Sequence, residues 1–202
     1  MIKAYDEMLL PIVQDVLGNL FEMAVELKGI DINVFVNRLL DFKYLFKLET
    51  ADPTLVLGKS ANEILALILD EEPIEFESYP YATAEYWCGY VLAYAAWYFN
   101  KPYKYLLESY PIDKLLNNYF PYHEMDIMHI INKIGECIPF ESNLKKYRKL
   151  NNLSQNELAI ISNVSLRTIR AYEQGSIDIA KGSAEILYSL SRALDCKIED
   201  LL

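Results

Sequence analysis

The stretch from Ser154 to Gly175, SQNELAIISNVSLRTIRAYEQG, constrains the fold of this chain more than any other part of it. Ser154 is followed three residues later by Glu157, which is the pattern of a capping box at the start of a helix. Asn163 stands where the chain must turn, because Asn adopts a positive φ more readily than other residues with a Cβ. Ser165 is a good N-cap for a second helix, and Gly175 suits its left-handed end. The stretch therefore predicts two short helices joined by a tight turn.

Apolar residues at helical spacing give each predicted helix an inward face. We expect burial of Leu158, Ala159 and Ile161 in the first helix and of Leu166, Ile169 and Tyr172 in the second. At about 100° per residue, the opposite side of the second helix (165–174) carries Arg167, Ala171 and Gln174, with Thr168 and Arg170 on its flanks. In the major groove of DNA, arginine pairs with guanine and glutamine with adenine. This outward face suits DNA, and the alternative is an ordinary solvated helix face.

The segment from about Asn143 to Leu202 resembles the helix-turn-helix domain of the Cro/C1 repressor class, also called the XRE family. The resemblance rests on the stretch described above, on Arg148 ahead of it and on Glu173 near the end of its second helix. It implies a five-helix, lambda-repressor-like domain. It also implies a partly buried ion pair between Arg148 and Glu173 that holds the first helix to the third.

The same resemblance assigns DNA contacts to this segment. Gln155 matches a family glutamine that contacts the DNA backbone or bases, and four positions of the second helix match base-reading residues. Together with the outward face, the predicted DNA-binding set is Gln155, Leu166, Arg167, Thr168, Arg170, Ala171 and Gln174. Two residues depart from the family pattern. Asn163 replaces the usual turn glycine, and Leu166 stands where a polar residue is common, so that it either touches a thymine methyl or packs.

Charge is distributed very unevenly along the chain. Residues 1–140 contain 10 basic and 21 acidic residues, a net charge of −11, whereas residues 141–202 contain 9 and 8, a net charge of +1. The basic residues of the second part are grouped at Lys145, Lys146, Arg148, Lys149, Arg167 and Arg170. We therefore expect nucleic acid to bind the C-terminal part and not the acidic part.

The sequence of the acidic part predicts an all-α domain of six or seven short helices. Helical patterns cover about residues 2–27, 32–42, 61–69, 83–100, 103–109, 112–119 and 124–138. Prolines and the acidic stretch from Asp70 to Pro80 separate them, and that stretch is either a solvated linker or a partner-binding loop. The predicted organisation is a helical domain at 1–138, which binds a partner, a ligand or a second copy, a linker at 139–142, and a DNA-binding domain at 143–202.

The helix at 83–100 is apolar on nearly every side, with tyrosines repeating four residues apart and two tryptophans. Such a helix is expected at the centre of its domain. Its aromatic side chains serve either as core packing or as the wall of a small-molecule pocket.

Nothing in the sequence has the spacing of a catalytic or metal site. His123, Glu124, Asp126 and His129 form the densest group of metal ligands, but the two histidines are six residues apart and do not share a helical face. Three widely spaced cysteines suggest free thiols in a reducing compartment. We expect no enzyme activity, no cofactor and no bound metal, and a cytoplasmic protein without a membrane span.

The resulting functional hypothesis is a sequence-specific transcriptional regulator, a repressor that binds a pseudo-palindromic operator in double-stranded DNA as a homodimer. Two alternatives stay open. By resemblance to related regulators, the acidic domain neutralises a partner toxin, so that the chain is an antitoxin that represses its own operon. Otherwise the aromatic helix at 83–100 belongs to a small-molecule sensor or an enzyme.

Overall fold

The structure is a computed structural model that describes residues 3–75, 82–139 and 142–202. The described residues form fourteen α-helices joined by turns, and no β-strand occurs among them. The chain packs as two compact units, Met1–Ile138 and Pro139–Leu202. The fold class is therefore all-α, as the sequence predicts. The acidic connection predicted at 70–80 and the linker predicted at 139–142 lie partly outside the described residues.

Ten α-helices build the N-terminal unit. In chain order they are α1 Leu10–Glu22, α2 Ile32–Leu40, α3 Leu45–Glu49, α4 Pro53–Val56, α5 Ala61–Leu69, α6 Ala84–Phe99, α7 Tyr103–Ser109, α8 Ile112–Leu116, α9 Tyr119–Tyr122 and α10 Ile127–Cys137. A 3-10 turn (Glu7–Leu9) precedes α1 and a π-helical turn (Met23–Leu27) continues it. The helix predicted at 124–138 begins later than expected because Asp126 is its N-cap and accepts a hydrogen bond from the Met128 amide.

The centre of this unit is the contact between α1 and α6. The two helices approach closely at Gly89, where an added Cβ would lie 2.4 Å from the carbonyl oxygen of Leu17. Within α6, Cys88, Val91 and Ala93 are fully buried. The apolar helix predicted at 83–100 is therefore a core helix.

By length and composition, the stretch Glu7–Leu27 could cross a membrane. In this fold, however, 61% of its most apolar window is buried, mainly against α6 and α5. It therefore has the placement of a core helix.

The tyrosines of α6 lie along one half-buried side of the helix and stack in pairs. Tyr86 and Tyr90 are parallel with ring centroids 6.2 Å apart, as are Tyr94 and Tyr98. The Tyr86 hydroxyl donates to Asp15 at 3.0 Å. An open depression on this unit is lined by residues of α1, the π-helical turn, α4, α5 and the loop before α5, and α6 contributes none of its lining.

Four α-helices and two 3-10 turns build the C-terminal unit. They are α11 Asn143–Leu150, α12 Gln155–Ser162, α13 Leu166–Glu173, the turn Ile179–Lys181, α14 Ala184–Ala193 and the turn Ile198–Asp200. The last turn stands in place of a full fifth helix. The core contains Leu144, Leu158, Val164, Ile169, Tyr172, Leu190, Leu194 and Leu201.

Asp178 caps the short 3-10 turn, and Ser183 caps α14. One detail of the predicted C-terminal unit is wrong. Ile161 is 57% exposed, and Ser162 takes the inward position of α12 instead. Ser162 can be buried there because its hydroxyl donates to the carbonyl oxygen of Leu158 at 2.6 Å.

Candidate nucleic-acid interface

Local hydrogen bonds fix the turn between α12 and α13. At the start of α12, the Glu157 carboxylate accepts from the Ser154 amide at 2.7 Å, and the Ser154 hydroxyl accepts from the Glu157 amide at 3.2 Å. Asn163 ends α12 with a φ of 53°, in the left-handed region. Ser165 then caps α13 and accepts from the Thr168 amide at 3.1 Å. These contacts set the direction in which α13 leaves the turn.

The outward side of α13 presents polar side chains around a small residue, Ala171. Arg167, Arg170 and Gln174 are exposed, whereas Leu166 and Ala171 are half-buried. These five residues and Ser176 line one open groove, so the structure brings most of the predicted base-reading set together. Ser176 was absent from the sequence prediction because it follows the helix, and it enters the groove through the turn at Gly175.

Two predicted contact residues are engaged within the unit itself. The hydroxyl of Thr168 lies 2.7 Å from that of Ser165, so it belongs to the cap of α13. The amide nitrogen of Gln155 donates to the Glu173 carboxylate at 2.8 Å. Since that nitrogen carries two hydrogens, one donor of Gln155 remains for a DNA phosphate.

Arg148 and Glu173 form a bidentate ion pair that joins α11 to α13. Arg148 Nε lies 2.6 Å from Glu173 Oε1, and Arg148 Nη2 lies 2.9 Å from Glu173 Oε2. The third nitrogen, Nη1, donates to the carbonyl oxygen of Leu153 at 2.7 Å. The side chain of Glu173 is only 2% exposed and that of Arg148 12%. The pair is therefore shielded from water on both sides.

The electrostatics follow from this geometry. Burial alone would raise the pKa of Glu173, but the hydrogen bonds from Arg148 and Gln155 and the positive charge of Arg148 hold that pKa below its ordinary value. The same pair raises the pKa of Arg148. Arg148 is thus neutralised internally and does not add to the basic surface, although the sequence grouped it there. Lys146, Lys149 and Lys181 are exposed.

In the histidine group of the N-terminal unit, His123 stacks on Tyr119 with ring centroids 4.0 Å apart, and Asp126 caps α10. Among the described residues, no three His, Cys, Asp or Glu side chains come together as metal ligands. Cys88 is buried, and burial raises the pKa of its thiol well above the ordinary value.

Comparison with known proteins gives a match within the C-terminal unit and none within the N-terminal one. Residues 144–201 match the model of the helix-turn-helix family. Neither a curated protein nor a solved structure matches the chain. The matched residues span α12 and α13, the capped turn between them and the Arg148–Glu173 pair. The C-terminal unit is therefore an XRE-type helix-turn-helix domain, the DNA-binding part of a transcriptional regulator.

Proposed function

We propose that this chain is a repressor that binds a pseudo-palindromic operator as a homodimer and reads the major groove with α13. The observation that carries the proposal is the outward side of α13. It presents the exposed Arg167, Arg170 and Gln174 around the small residue Ala171, directly after a capped turn.

Each side chain of this face has a specific use in the groove. The guanidinium groups of Arg167 and Arg170 can donate two parallel hydrogen bonds to guanine, and the Gln174 amide can pair with adenine. Ala171 leaves room for the helix to approach the base edges. Leu166, half-buried at the start of α13, offers its methyl groups to a thymine methyl.

The ion pair contributes by positioning. Glu173 binds both Arg148 of α11 and Gln155 at the start of α12, so a single buried carboxylate connects three helices. Gln155 is held at the N-terminus of α12, where helix amides favour an anion. A phosphate bound there would set the register of α13 in the groove.

Two copies are needed because one unit of this kind binds weakly. The C-terminal part carries a net charge of only +1, which gives little non-specific attraction to DNA. Two recognition helices placed about 34 Å apart would contact two half-sites on one side of the duplex. Occupying such a site blocks other proteins from it, which is how we propose that the chain represses. The role requires an intracellular protein and no catalysis.

Selection of binding sites from a random duplex library by the full chain tests the proposal. The expected result is one enriched motif with two inverted half-sites about 10 base pairs apart, centre to centre. Enrichment of no motif, or equal recovery of all duplexes at moderate salt, would contradict it.

A further inference from the structure

A row of tyrosines follows one side of α6, and the rest of the N-terminal unit covers that side only in part. Tyr86, Tyr90, Tyr94 and Tyr98 recur four residues apart, and each is half-buried. The rings of the two stacked pairs lie within 26° and 16° of parallel. Since the face of an aromatic ring carries partial negative charge, a row of this kind attracts cations.

The chain itself places a cation at one end of this row. The Lys3 ammonium lies 3.7 Å from the centroid of the Tyr98 ring and 4.4 Å from that of Trp97. In the part of the chain that the structure describes, no lysine or arginine lies over the other three tyrosines of the row. Lys3 therefore shows that an ammonium group fits against this side of α6, and three rings are left without one.

Three exposed carboxylates border the row on neighbouring elements. Asp15 of α1 accepts from the Tyr86 hydroxyl at 3.0 Å, Glu7 lies in the 3-10 turn before α1, and Asp126 is the N-cap of α10. Burial raises the pKa of Tyr94, and the charges of Asp126 and Glu7 raise it further. Among residues 3–75, 82–139 and 142–202, none of these three carboxylates forms an ion pair. The row therefore has unneutralised negative charge beside it.

We propose that this side of α6 is a docking surface for a basic segment of a partner protein. The residues that form this tyrosine–carboxylate face are Tyr86, Tyr90, Tyr94, Glu7, Asp15 and Asp126. Basic side chains of the segment would lie over the rings, as Lys3 lies over Tyr98, and pair with the carboxylates beside them. Arginine suits the face better than lysine, because a planar guanidinium stacks on a ring and donates two parallel hydrogen bonds to a carboxylate.

Charge favours a foreign basic segment over a second copy of this chain. Residues 1–140 carry a net charge of −11, which attracts a basic segment from a distance. Two copies of the tyrosine–carboxylate face would repel each other, because both carry the same carboxylates. The C-terminal part of another copy has a net charge of only +1 and offers little attraction.

Fluorescence anisotropy of a labelled peptide, with the full chain and without DNA, tests the proposal. The probe is a short peptide of alternating arginine and serine, and its control peptide has glutamine in place of arginine. The arginine peptide should bind and the glutamine peptide should not. Tyr90→Leu should weaken binding about tenfold without changing the net charge, because it removes one ring. Tyr90→Phe keeps the ring and should bind like the parent.

Two matched controls separate this face from the general acidity of the unit. Tyr105→Leu removes a half-buried tyrosine from α7 and should leave binding unchanged. Asp15→Asn should weaken binding about threefold, since an exposed ion pair contributes modestly, and its amide oxygen still accepts from Tyr86. Glu108→Gln makes the same change of charge at an exposed residue of α7 and should weaken binding less. Far-ultraviolet circular dichroism should match the parent in every variant.

Four outcomes would overturn the inference. The first is equal binding of the two peptides, and the second is a Tyr90→Leu variant that binds like the parent. The third is an equal loss in Tyr90→Leu and Tyr105→Leu, which would mean that the peptide has no preferred face. The fourth is a dimer of the parent, seen by light scattering, that Tyr90→Leu dissociates, because a second copy would then occupy the face.

Discussion

Replacing Glu173 with alanine would remove the centre of the hydrogen-bond network that joins α11, α12 and α13. The carboxylate accepts from Arg148 at 2.6 and 2.9 Å and from Gln155 at 2.8 Å. Its loss would leave the Arg148 guanidinium with the Leu153 carbonyl as its remaining partner, at 2.7 Å. Removing one member of a buried pair typically costs 3–5 kcal/mol, and we expect about 3 kcal/mol because Arg148 keeps that bond.

Hydrogen exchange followed by mass spectrometry measures this effect within the full chain. Peptides from α11, α12 and α13 should exchange about a hundredfold faster in Glu173→Ala, which corresponds to about 3 kcal/mol of lost protection. Both tryptophans, Trp87 and Trp97, lie in α6, so the urea transition of tryptophan fluorescence reports on the N-terminal unit and should not move. Glu185→Ala, at an exposed residue of α14, is the matched control and should change protection by about 0.5 kcal/mol or less.

A double-variant cycle and a pH series sharpen the same prediction. Glu173→Ala combined with Arg148→Ala should lower the stability of the C-terminal unit by less than the sum of the two single changes. The reason is that Arg148→Ala removes the charge that Glu173→Ala leaves unpaired. The pKa of Glu173 is lowered in the folded state, so its stabilisation is complete above the ordinary value of about 4.3 and is lost as the pH falls through the lowered one. The difference in stability between the parent and Glu173→Ala should shrink below about pH 4. Unchanged exchange rates at neutral pH would refute the reasoning.

Three further changes have defined outcomes. Gly89→Ala should destabilise the N-terminal unit by about 2 kcal/mol, because the new Cβ would lie 2.4 Å from the Leu17 carbonyl oxygen. Urea titrations followed by tryptophan fluorescence measure this loss. An unchanged midpoint would mean that α1 and α6 can separate freely. Asn163→Ala should cost the C-terminal unit about 1 kcal/mol at a φ of 53°, whereas Asn163→Gly should cost nothing, as read by hydrogen exchange. Raising salt from about 50 to 200 mM should weaken operator binding but strengthen self-association of the acidic chain, measured by anisotropy and light scattering respectively. If salt changed both affinities in the same direction, that result would count against the assignment of DNA binding to the C-terminal unit and of charge repulsion to the acidic one.

The sequence predicts the helix-turn-helix frame well because its determinants are local. Each cap of α12 and α13 involves residues three apart, so Ser154, Glu157 and Ser165 can be read without knowing the rest of the fold. The αL turn at Asn163 depends on that residue alone. The outward side of α13 follows from the helical period once Ile169 is taken as buried.

Features that depend on distant residues could not be predicted in the same way. Periodicity favoured Ile161 as an inward residue, but Ser162 can be buried because a hydrogen bond within its own helix satisfies the hydroxyl. Just before α14, Gly182 passes so close to Tyr172 that a Cβ there would lie 2.8 Å from the Tyr172 hydroxyl, a contact across the fold. Likewise, Glu22 is buried because it accepts from the Thr83 amide, 61 residues away, at the start of α6.

The measurement that tests the central claim most directly compares Arg167→Ala with Arg192→Ala on the selected operator. Both variants lose one exposed arginine from the C-terminal unit, but Arg192 lies on α14, outside the proposed reading face. Fluorescence anisotropy should show Arg167→Ala losing about 1–3 kcal/mol of cognate affinity and its preference at one base of each half-site. Arg192→Ala should keep that preference. Equal affinity and an unchanged motif in Arg167→Ala would contradict the assignment of α13 as the helix that reads DNA.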